Sequence, residues 1–578
     1  MRNYAFEHGP DNNFRKRIRC FLSEYKKRLS TCVLCLFAAL LVYTGLHAET
    51  PQNARGGVKT DSCEYISLYC DVSFWNPSAW STEPGTITGD ITQKTGVAVD
   101  VTVPQRDADR KLSLMLLNDE LPDVISVTDQ TVIRQLVTSG KVWKLDEFLE
   151  TCCPDSHLLK EFPQDVKKEL VRRDGAWYAY PSHLDSADAR SIWKPSSAYY
   201  KDYVNYHYNN AIIWNKKLLK RLGIAEDELH TKEQALLAFK KAAKSGLLVS
   251  GKPVIPLLLD GSAYQETSLE FFLQTFGAQP LDEDGNYRDI LFSPEAEEAL
   301  RFLQEAMAQG YCPSSVFTVS NEKIKQYITG GRVLCFAGNI SNTSFAGNEW
   351  ISSGALLSSR GASPVLGKNM HANSGWISTF ISKSCKSPQK TARWLDYMTS
   401  DEGRRLWHYG YEGRHYAYDS QGLIVRTEEQ MRLEDRYTKT GIGTWWMFEN
   451  TAWMRSVIRA PEKGSQDELE DRAAAAYGRD AQTVIYDNAP FDFKELAWME
   501  SGLEAKERAL NEWKKEMILD VILAKDSGEF RQRYQLLLDG MKQRGQKETD
   551  SIKNRYFKEN CRRLGIRAER INGGTGQK

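Results

Sequence analysis

Three short stretches decide the fold of this chain: Ile66-Ser-Leu-Tyr-Cys-Asp-Val-Ser-Phe74, Val97-Ala-Val-Asp-Val-Thr-Val103 and Asp123-Val-Ile-Ser-Val127. In the first two, apolar residues alternate with polar or aromatic neighbours, which is the period of a β-strand, and the third is a short apolar run. Segments with apolar residues at helical spacing lie between and after them. Strand and helix therefore alternate, and this order predicts a parallel α/β sheet with helices on both faces.

The helix after the third strand has recognisable ends. Asp129 precedes an apolar stripe from Val132 to Val137, and its side chain suits an N-cap. Gly140 suits the C-terminal cap of the same helix. Because Asp129 also follows a strand, two roles are open to it, a ligand contact and a helix cap, and the cap is the more ordinary role.

A second α/β segment begins near Tyr206. Residues 206–214 are strand-like, residues 215–222 predict a short helix, and Thr231 predicts the N-cap of another helix. Strands are predicted at 254–259, 332–337 and 375–383, and helices open at Ser293-Pro294, Ser387-Pro388 and Ser400. The charge-rich stretch 492–560 predicts further helices, and the end of the chain, 561–578, predicts a flexible tail.

The composition is that of an ordinary globular protein of several structural units. The chain has 578 residues, of which 41% are hydrophobic and 26% charged. Its 76 Lys and Arg balance its 76 Asp and Glu. Because phosphate backbones require a basic surface, no nucleic-acid partner is expected. The 15 Trp and 26 Tyr favour a ligand-binding surface, since these rings combine an apolar body with one polar group.

The N-terminus predicts an export segment over residues 1–48. A basic stretch from Arg15 to Arg28 precedes an apolar run from Cys32 to Leu46, and Ala48 suits cleavage before Glu49. The run has about 15 residues, fewer than the ~20 that span a bilayer. Because the basic stretch is long, an uncleaved membrane anchor and a misassigned start codon are the two alternatives. Cleavage would remove 8 Lys and Arg and 3 Asp and Glu, leaving 68 against 73 and a net charge near −5.

The cysteines give no metal site and no lipid anchor. Three of the 11 lie in the export segment, and the other 8 permit disulfides outside the cytoplasm without fixing a pairing. Cys152-Cys153 allows a vicinal disulfide or, more ordinarily, two thiols. No pair of Cys-x-x-Cys motifs occurs. Cys32 precedes the apolar run instead of following it, so lipidation is not predicted.

Catalytic signatures do not appear in the sequence. It contains no Gly-x-Ser-x-Gly elbow and no His-Glu-x-x-His motif. The stretch 361–368 has the wrong spacing for a phosphate loop. Residues 281–286 are similar to a calcium loop, but Gly285 is misplaced, and a hairpin turn is the favoured interpretation. A pair of carboxylates acting as in a glycosidase stays open, although the sequence does not single out a pair.

Several segments together resemble a known family. They are Ile91-Thr-Gln-Lys-Thr-Gly-Val97, Leu121-Pro-Asp-Val-Ile125, Asp174-Gly-Ala-Trp-Tyr-Ala-Tyr-Pro181, Trp214-Asn-Lys-Lys-Leu-Leu-Lys-Arg-Leu-Gly223, Ser387-Pro-Gln-Lys-Thr-Ala-Arg-Trp-Leu-Asp396 and Tyr409-Gly-Tyr-Glu-Gly-Arg-His-Tyr416. In this order and spacing the chain resembles the extracellular solute-binding proteins, family 1, of carbohydrate ABC importers. The resemblance extends to their large oligosaccharide-binding branch, which includes alginate-binding proteins.

The resemblance implies a two-lobed, periplasmic-binding-protein-like (type II) α/β fold with a hinge, an interlobe cleft and a helical C-terminal extension. Lobe 1 would comprise residues 64–181 and 375–418, and lobe 2 would comprise 206–366 and most of 419–560. The protein would capture an oligosaccharide or another polar solute by lobe closure and deliver it to a membrane permease. It would act as an exported monomer without catalysis, metal or cofactor.

The candidate ligand-binding residues follow from two arguments. Open α/β sheets bind ligands beyond the carboxyl ends of their strands, and sugar recognition needs flat aromatic faces with planar polar groups. Trp445-Trp446, in a Gly-rich loop, is the leading aromatic candidate, with burial in the core as an equal alternative. The full candidate set is Trp75, Asn76, Asp129, Tyr206, Trp376, Tyr411, Glu412, Trp445 and Trp446.

Other functions are also compatible with the sequence. A carbohydrate-active hydrolase would place two carboxylates in one cleft. A receptor for peptides or other solutes would differ in the charge of the cleft. A surface scaffold that has lost transport would have an apolar or filled cleft.

Overall fold

The computed structural model of the chain describes residues 63–434, 437–493, 500, 502–567 and 569–570. The predicted export segment, 1–48, lies outside these residues, as do residues 571–578.

The strands alternate with helices along the chain. In chain order they are β1 Glu64–Cys70, β2 Val97–Thr102, β3 Val124–Val127, β4 Ala179–Pro181, β5 Leu184–Ser186, β6 Asn210–Asn215, β7 Leu248–Val249, β8 Lys252–Pro253, β9 Ile255–Leu259, β10 Val333–Asn339, β11 Trp350–Ser352, β12 Val365–Lys368, β13 Ala372–Ser374, β14 Ser378–Ile381, β15 Tyr416–Tyr418, β16 Ile424–Arg426 and β17 Val484–Asp487.

The α-helices vary from single turns to 20 residues. They are Ile87–Thr95, Ala108–Leu117, Gln130–Ser139, Leu145–Cys152, Leu158–Glu161, Gln164–Asp174, Ala187–Ile192, Ala198–Tyr206, Lys216–Leu222, Lys232–Lys244, Glu270–Thr275, Pro294–Ala308, Asn321–Thr329, Pro388–Thr399, Asp401–Arg404, Glu428–Glu434, Tyr437–Thr440, Thr451–Val457, Gln466–Arg479, Leu503–Ile522, Ser527–Gln543 and Gln546–Leu564.

Lobe 1 is built around a five-stranded sheet of order β2-β1-β3-β14-β4. β1 is parallel to β2 and β3, whereas β14 returns antiparallel to β3 and β4. One face of the sheet packs Ile66 and Leu68 in the larger core of this lobe. The other face packs Tyr69 and Ile125 in a second cluster that includes the helix Gln130–Ser139. The predicted α/β sheet with helices on both faces is confirmed, but β14 makes the sheet mixed and not fully parallel.

Lobe 2 is built around a four-stranded sheet of order β11-β6-β10-β9. β10 is parallel to β9 and antiparallel to β6. Its core takes in the amphipathic helices Lys232–Lys244 and Pro294–Ala308. The predicted caps Thr231 and Ser293 each accept a hydrogen bond from the backbone N–H three residues later, as N-caps do.

The C-terminal helices pack against lobe 2. Gln304 donates its amide to the carbonyl of Ala524 at 2.9 Å, and the Tyr534 hydroxyl donates to the carbonyl of Leu291 at 2.6 Å. The last helix runs to Leu564 and buries Cys561. This corrects the prediction that the flexible tail starts at residue 561, because Cys561 is packed in the core and the helix continues to Leu564.

Loop segments collect at one end of each sheet, and we call these two groups of segments the lobe 1 edge and the lobe 2 edge. The lobe 1 edge comprises residues 71–76, 128–129, 182–183 and 375–377, which follow β1, β3 and β4 and precede β14. The lobe 2 edge comprises residues 209–210, 260–261 and 339–341, at the start of β6 and the ends of β9 and β10. The chain crosses from the end of β4 to the start of β6, and it returns through β12 and β13 to β14. Both crossing segments therefore begin or end at residues of these edges.

Two local predictions need correction, and two are confirmed. The strand predicted from Tyr206 begins at Asn210, because Tyr206 ends the helix Ala198–Tyr206. The alternation up to Phe74 overstates β1, which ends at Cys70. Residues 281–287 form the predicted hairpin turn, closed by a bridge between Leu281 and Tyr287. Cys152 and Cys153 are buried free thiols.

Candidate functional site at the interlobe edges

The lobe 1 edge carries an exposed aromatic surface. Phe74 is 66% exposed and Trp376 is 43% exposed. Their rings stack with centroids 6.3 Å apart and planes 17° from parallel. The half-buried Trp446 lies 6.0 Å from Phe74 between ring centroids. We call Phe74, Trp376 and Trp446 the aromatic platform.

Gly375 allows Trp376 to take its place in the platform. Its φ is +57°, and a Cβ there would lie 2.1 Å from the carbonyl oxygen of Ser182. Ser182 also donates its backbone N–H to the carbonyl of Ile377 at 2.9 Å. Glycine is therefore required for the two loops to approach so closely. This contact places Trp376 beside His183, with ring centroids 6.1 Å apart.

His183 has an unusual backbone for its residue type. Its φ is +51°, a left-handed conformation that is uncommon outside glycine. The backbone N–H donates to the carbonyl of Glu449 at 2.7 Å, and Nε2 lies 3.4 Å from the Glu449 carboxylate. Among the described residues, its buried Nδ1 has no hydrogen-bond partner. Strained conformations of this kind concentrate at ligand sites.

Trp75 and Trp445 lie behind the platform, in the core. They are 1% and 2% exposed, and their rings meet edge to face at 5.6 Å. Trp75 donates Nε1 to the carbonyl of Thr444 at 2.6 Å. Of the two positions that the sequence left open for these residues, binding surface and core, the structure shows the core for both, so as candidate ligand contacts they are corrected. The physical reason is a turn after β1, closed by the N–H of Trp75 on the carbonyl of Val72, which buries Trp75 and exposes Phe74.

Trp446 lies where the sequence allowed either a platform or a core position. It is half-buried, and its Nε1 donates to the carbonyl of Gly443 at 2.8 Å. The centroid of its ring lies 5.0 Å from that of Tyr437. Of the two adjacent indoles, one therefore packs in the core and the other contributes to the platform.

Asn76 and Asp129 are exposed on the lobe 1 edge. Oδ1 of Asp129 accepts the backbone N–H of Val132 at 2.9 Å, so the predicted cap is confirmed. The backbone N–H of Asp129 also donates to Oδ2 of Asp71 at 3.3 Å. Asp129 is thus close to Asp71, which the sequence-based candidate set does not contain.

Of the three other candidates, Tyr206 and Tyr411 have structural partners of their own and Glu412 is exposed. Tyr206 is half-buried, with the guanidinium of Arg479 5.7 Å from its ring centroid. The Tyr411 hydroxyl donates to Oδ2 of Asp90 at 2.7 Å, and Glu412 is exposed in the following turn. Within the described part of the chain, no ring contact or hydrogen bond joins these residues to the platform.

The lobe 2 edge is polar. Oδ2 of Asp260 accepts the backbone N–H of Asn339 at 3.1 Å and so links the ends of β9 and β10. Oδ1 of Asn339 accepts the backbone N–H of Ser341 at 3.0 Å, and the Ser341 hydroxyl donates to Oδ1 of Asn209 at 3.1 Å. The three edge segments are thereby held together by side chains. Sequence reasoning missed them, although Asp260 directly follows a predicted strand.

Glu270 lies behind the lobe 2 edge. Its carboxylate accepts from Nδ2 of Asn210 at 2.8 Å and from Nε2 of Gln274 at 3.1 Å. Burial raises the pKa of the Glu270 carboxyl to about 7. A π-helical turn, Gln265–Leu269, precedes it, and such turns occur frequently at functional sites.

Cations cluster on the segments that cross between the lobes and on the neighbouring helix Thr451–Val457. Arg190 and Arg455 bind the two oxygens of Asp185 at 2.6 and 2.9 Å. The ammonium of Lys368 donates to the carbonyls of Val204 and His207. Burial, together with the nearby Arg455 guanidinium, lowers the pKa of Lys368 to about 8. Lys368 thereby ties β12 to the end of the helix Ala198–Tyr206, and the two arginines hold Asp185 of β5.

Neither a metal cluster nor a membrane span occurs in the described ranges. Among those residues, no group of three or more His, Cys, Asp and Glu is placed to hold a metal ion. No described helix is both long and apolar enough to span a bilayer.

Two α/β sheets joined by crossing segments form a two-lobed fold of the kind found in solute-binding proteins. Among solved structures, the chain is similar to the ABC-transporter substrate-binding protein FusA of Streptococcus pneumoniae in complex with kestose, at 14% identity and a TM-score of 0.64. That similarity covers 86% of this chain and 100% of FusA.

Two further structures have the same fold. An extracellular solute-binding protein of Bifidobacterium longum subsp. infantis is 12% identical with a TM-score of 0.61, covering 87% of this chain and 99% of its own. An alginate-binding protein is 13% identical with a TM-score of 0.53, covering 86% and 99%. No protein-family model and no curated protein sequence matches the chain. The fold implied by the sequence resemblance is therefore confirmed by structure.

Proposed function

We propose that this protein is the extracytoplasmic solute-binding component of an ABC importer and that it captures an oligosaccharide between its lobes. The observation that carries this proposal is the aromatic platform at the strand ends of lobe 1. Exposed rings of this size are costly in water unless a partner covers them. The flat C–H faces of sugar rings are suitable partners for such rings.

The position of the platform supports capture by lobe closure. In open α/β sheets, ligands bind beyond the carboxyl ends of the strands, and the platform occupies that place in lobe 1. The lobe 2 edge supplies side-chain carboxylate and amide groups from Asp260, Asn339 and Asn209. A solute between the edges would stack on one lobe and form hydrogen bonds with the other, which favours the closed state.

The proposal also includes export of the chain, its membrane partner and its oligomeric state. We propose that residues 1–48 direct the chain across the membrane, where they are cleaved or retained as an anchor. The liganded protein, a monomer, would deliver its solute to a membrane permease without chemical change to the solute.

Binding and hydrolysis are separated by one experiment. Purified protein is screened by thermal shift against neutral oligosaccharides of two to five residues, including kestose, together with monosaccharides and peptides. A ligand that binds only the folded state raises the melting temperature by mass action. The proposal predicts that an oligosaccharide stabilises the protein and is recovered intact by mass spectrometry. Hydrolysis would establish an enzyme instead, and stabilisation by peptides alone would establish a different receptor.

A further inference from the structure

The end of lobe 2 opposite the lobe 2 edge is basic. β6 ends there and β9 begins there, so the helix that follows β6 and the β7–β8 hairpin that precedes β9 lie at this end of the sheet. Residues 216–252 contain nine Lys and Arg against four Asp and Glu, whereas residues 49–578 contain 68 against 73. The exposed side chains that we call the basal surface are Lys220, Arg221, Leu237, Lys240, Lys244 and Leu248.

A hydrogen bond joins two helices at this end of lobe 2. The ammonium of Lys241, on the helix Lys232–Lys244, donates at 2.9 Å to the carbonyl of Gly223, which caps the helix Lys216–Leu222. The C-terminal turns of both helices therefore meet, and their partial negative charge favours cations there. Lys217 stands in a first turn, where the helix dipole disfavours a cation. The helix dipoles thus account for only part of the positive charge.

The cations of the basal surface lack protein partners. Within the described part of the chain, four side chains form neither an ion pair nor a hydrogen bond: Lys220, Arg221, Lys240 and Lys244. At the other end of the second helix, in contrast, Lys232 binds the carboxylate of Glu298 at 2.9 Å. Four positive charges are therefore left uncompensated on one surface.

Two leucines are exposed among these cations. Leu237 is 64% exposed and Leu248 is 53% exposed. Leu237 precedes Lys240 and Lys244 by three and seven residues, so the three side chains share one face of their helix. The opposite face packs Phe239 in the core, and Leu248 lies in the hairpin that follows the helix. A basic face that only water covers has no need of exposed leucines.

We propose that the basal surface lies against a membrane surface that contains anionic phospholipids. The lysines and Arg221 bind the phosphate groups, and the two leucines enter the boundary between headgroups and acyl chains. Basic side chains combined with large apolar ones on an exposed helix face are typical of such interfacial binding. A soluble polyanion would use the cations and leave the leucines in water.

Membrane contact of this kind is separate from solute capture and does not depend on it. The basal surface and the lobe 2 edge lie at opposite ends of the same sheet, on the order of 15–20 Å apart along strands of this length. A protein held by its basal surface therefore keeps the lobe 2 edge free for a solute.

The first test is hydrogen–deuterium exchange of the whole protein with two kinds of vesicle. One kind is phosphatidylcholine alone, and the other contains about 30% phosphatidylglycerol, which makes its surface anionic. We expect the anionic vesicles to slow exchange in residues 216–222 and 237–252, and we expect this protection to fall at ~0.5 M salt because exposed charges are screened. Equal protection by both kinds of vesicle, or protection by neither, would overturn the inference and leave solute capture intact.

The second test removes two of the charges. Lys240→Gln combined with Lys244→Gln should weaken binding to the anionic vesicles about 10- to 30-fold in a sedimentation assay, since each cation near such a surface contributes about fivefold. The matched control is Lys525→Gln combined with Lys547→Gln, at two exposed positions near the C-terminal helices. Wild type and variants share residues 1–48, so the difference between them reports the basal surface. Equal binding by both pairs would contradict the assignment.

The third test concerns the apolar part of the surface. Leu237→Ser should weaken vesicle binding about 3- to 10-fold by a similar factor at ~0.05 and ~0.15 M salt, because apolar burial is not screened. Leu536→Ser is the control, since Leu536 is 52% exposed on the helix Ser527–Gln543. Wild-type binding by Leu237→Ser, with loss in the lysine pair, would overturn the membrane in favour of a soluble polyanion. If a variant fails to fold, the exchange pattern of the wild-type protein still decides the question.

Discussion

The two edges of the cleft differ in chemistry although they occupy equivalent places in their sheets. The lobe 1 edge exposes the stacked rings of Phe74 and Trp376, whereas the lobe 2 edge is held by Asp260, Asn339 and Asn209. Behind the first lies an apolar core with Trp75 and Trp445, and behind the second lies the buried carboxyl of Glu270. The difference indicates a division of roles, with stacking on one lobe and hydrogen bonding on the other.

The largest effect is expected from the core behind the lobe 1 edge. Trp445 packs between Trp75 and Trp80 at 5.6 and 5.4 Å. Trp445→Ala should lower the free energy of unfolding by about 3–5 kcal/mol, because a large buried side chain leaves a cavity. Denaturant unfolding measures this loss. A loss below about 1 kcal/mol would show that Trp445 is not a core residue.

The second effect concerns pH and the carboxyl behind the lobe 2 edge. Since the pKa of Glu270 is raised to about 7 in the folded protein, from an ordinary 4.5, the folded state binds the proton more tightly than the unfolded state. The contribution of Glu270 to stability is therefore greatest below pH 4.5 and falls as the pH rises to 7, on the order of 2–3 kcal/mol in total.

Glu270→Gln provides the matched variant for this pH dependence. Unfolding free energies of wild type and variant are measured at pH 5 and pH 8. The variant should lose less stability than wild type between these values, because it has no proton to release. Equal losses in both proteins would contradict the role of Glu270.

The third effect distinguishes the aromatic platform from the buried tryptophans behind it. Trp376→Ala should weaken oligosaccharide binding about 10- to 100-fold, as expected for an aromatic anchor. Its stability should fall by about 1 kcal/mol, well below the loss for Trp445→Ala, because the side chain is 43% exposed. Tyr418→Ala is the control, since Tyr418 is 39% exposed on the hairpin of β15 and β16. If both variants bind as wild type does, the platform is not the binding surface.

The smallest effect is expected at the outer ring of the platform. Phe74→Ala should weaken binding about 3- to 10-fold, whereas Phe74→Tyr, which keeps the ring, should bind as wild type does. Calorimetric titration of both variants with the same oligosaccharide measures the difference. Equal losses in the two variants would mean that ring stacking is not the interaction at this position.

Much of the fold could be predicted from local patterns. Asp129 and Thr231 were predicted as N-caps and Gly140 as a C-terminal cap, and all three act in this way. These signals are local, because an N-cap depends on residues within one turn of helix. The strand order and the packing of the C-terminal helices depend on distant contacts, and the family resemblance supplied that part of the expectation.

The site was harder to predict because it depends on burial at single positions. Phe74 and Trp75 are adjacent aromatic residues, and the turn between Val72 and Trp75 decides which of them is exposed. The alternation of apolar residues from Ile66 to Phe74 predicts instead that Phe74 is buried and Trp75 is exposed. Asp260 could have been found, since it follows a predicted strand. Its hydrogen bond with the backbone N–H of Asn339 could not, because that contact depends on how β9 and β10 pair.

Hydrogen–deuterium exchange with and without a stabilising oligosaccharide tests the central claim most directly. The account predicts that ligand protects both edges together: residues 71–76, 182–183 and 375–377 in lobe 1, and residues 209–210, 260–261 and 339–341 in lobe 2. Protection confined to one lobe, or located away from both edges, would contradict capture of the solute between them.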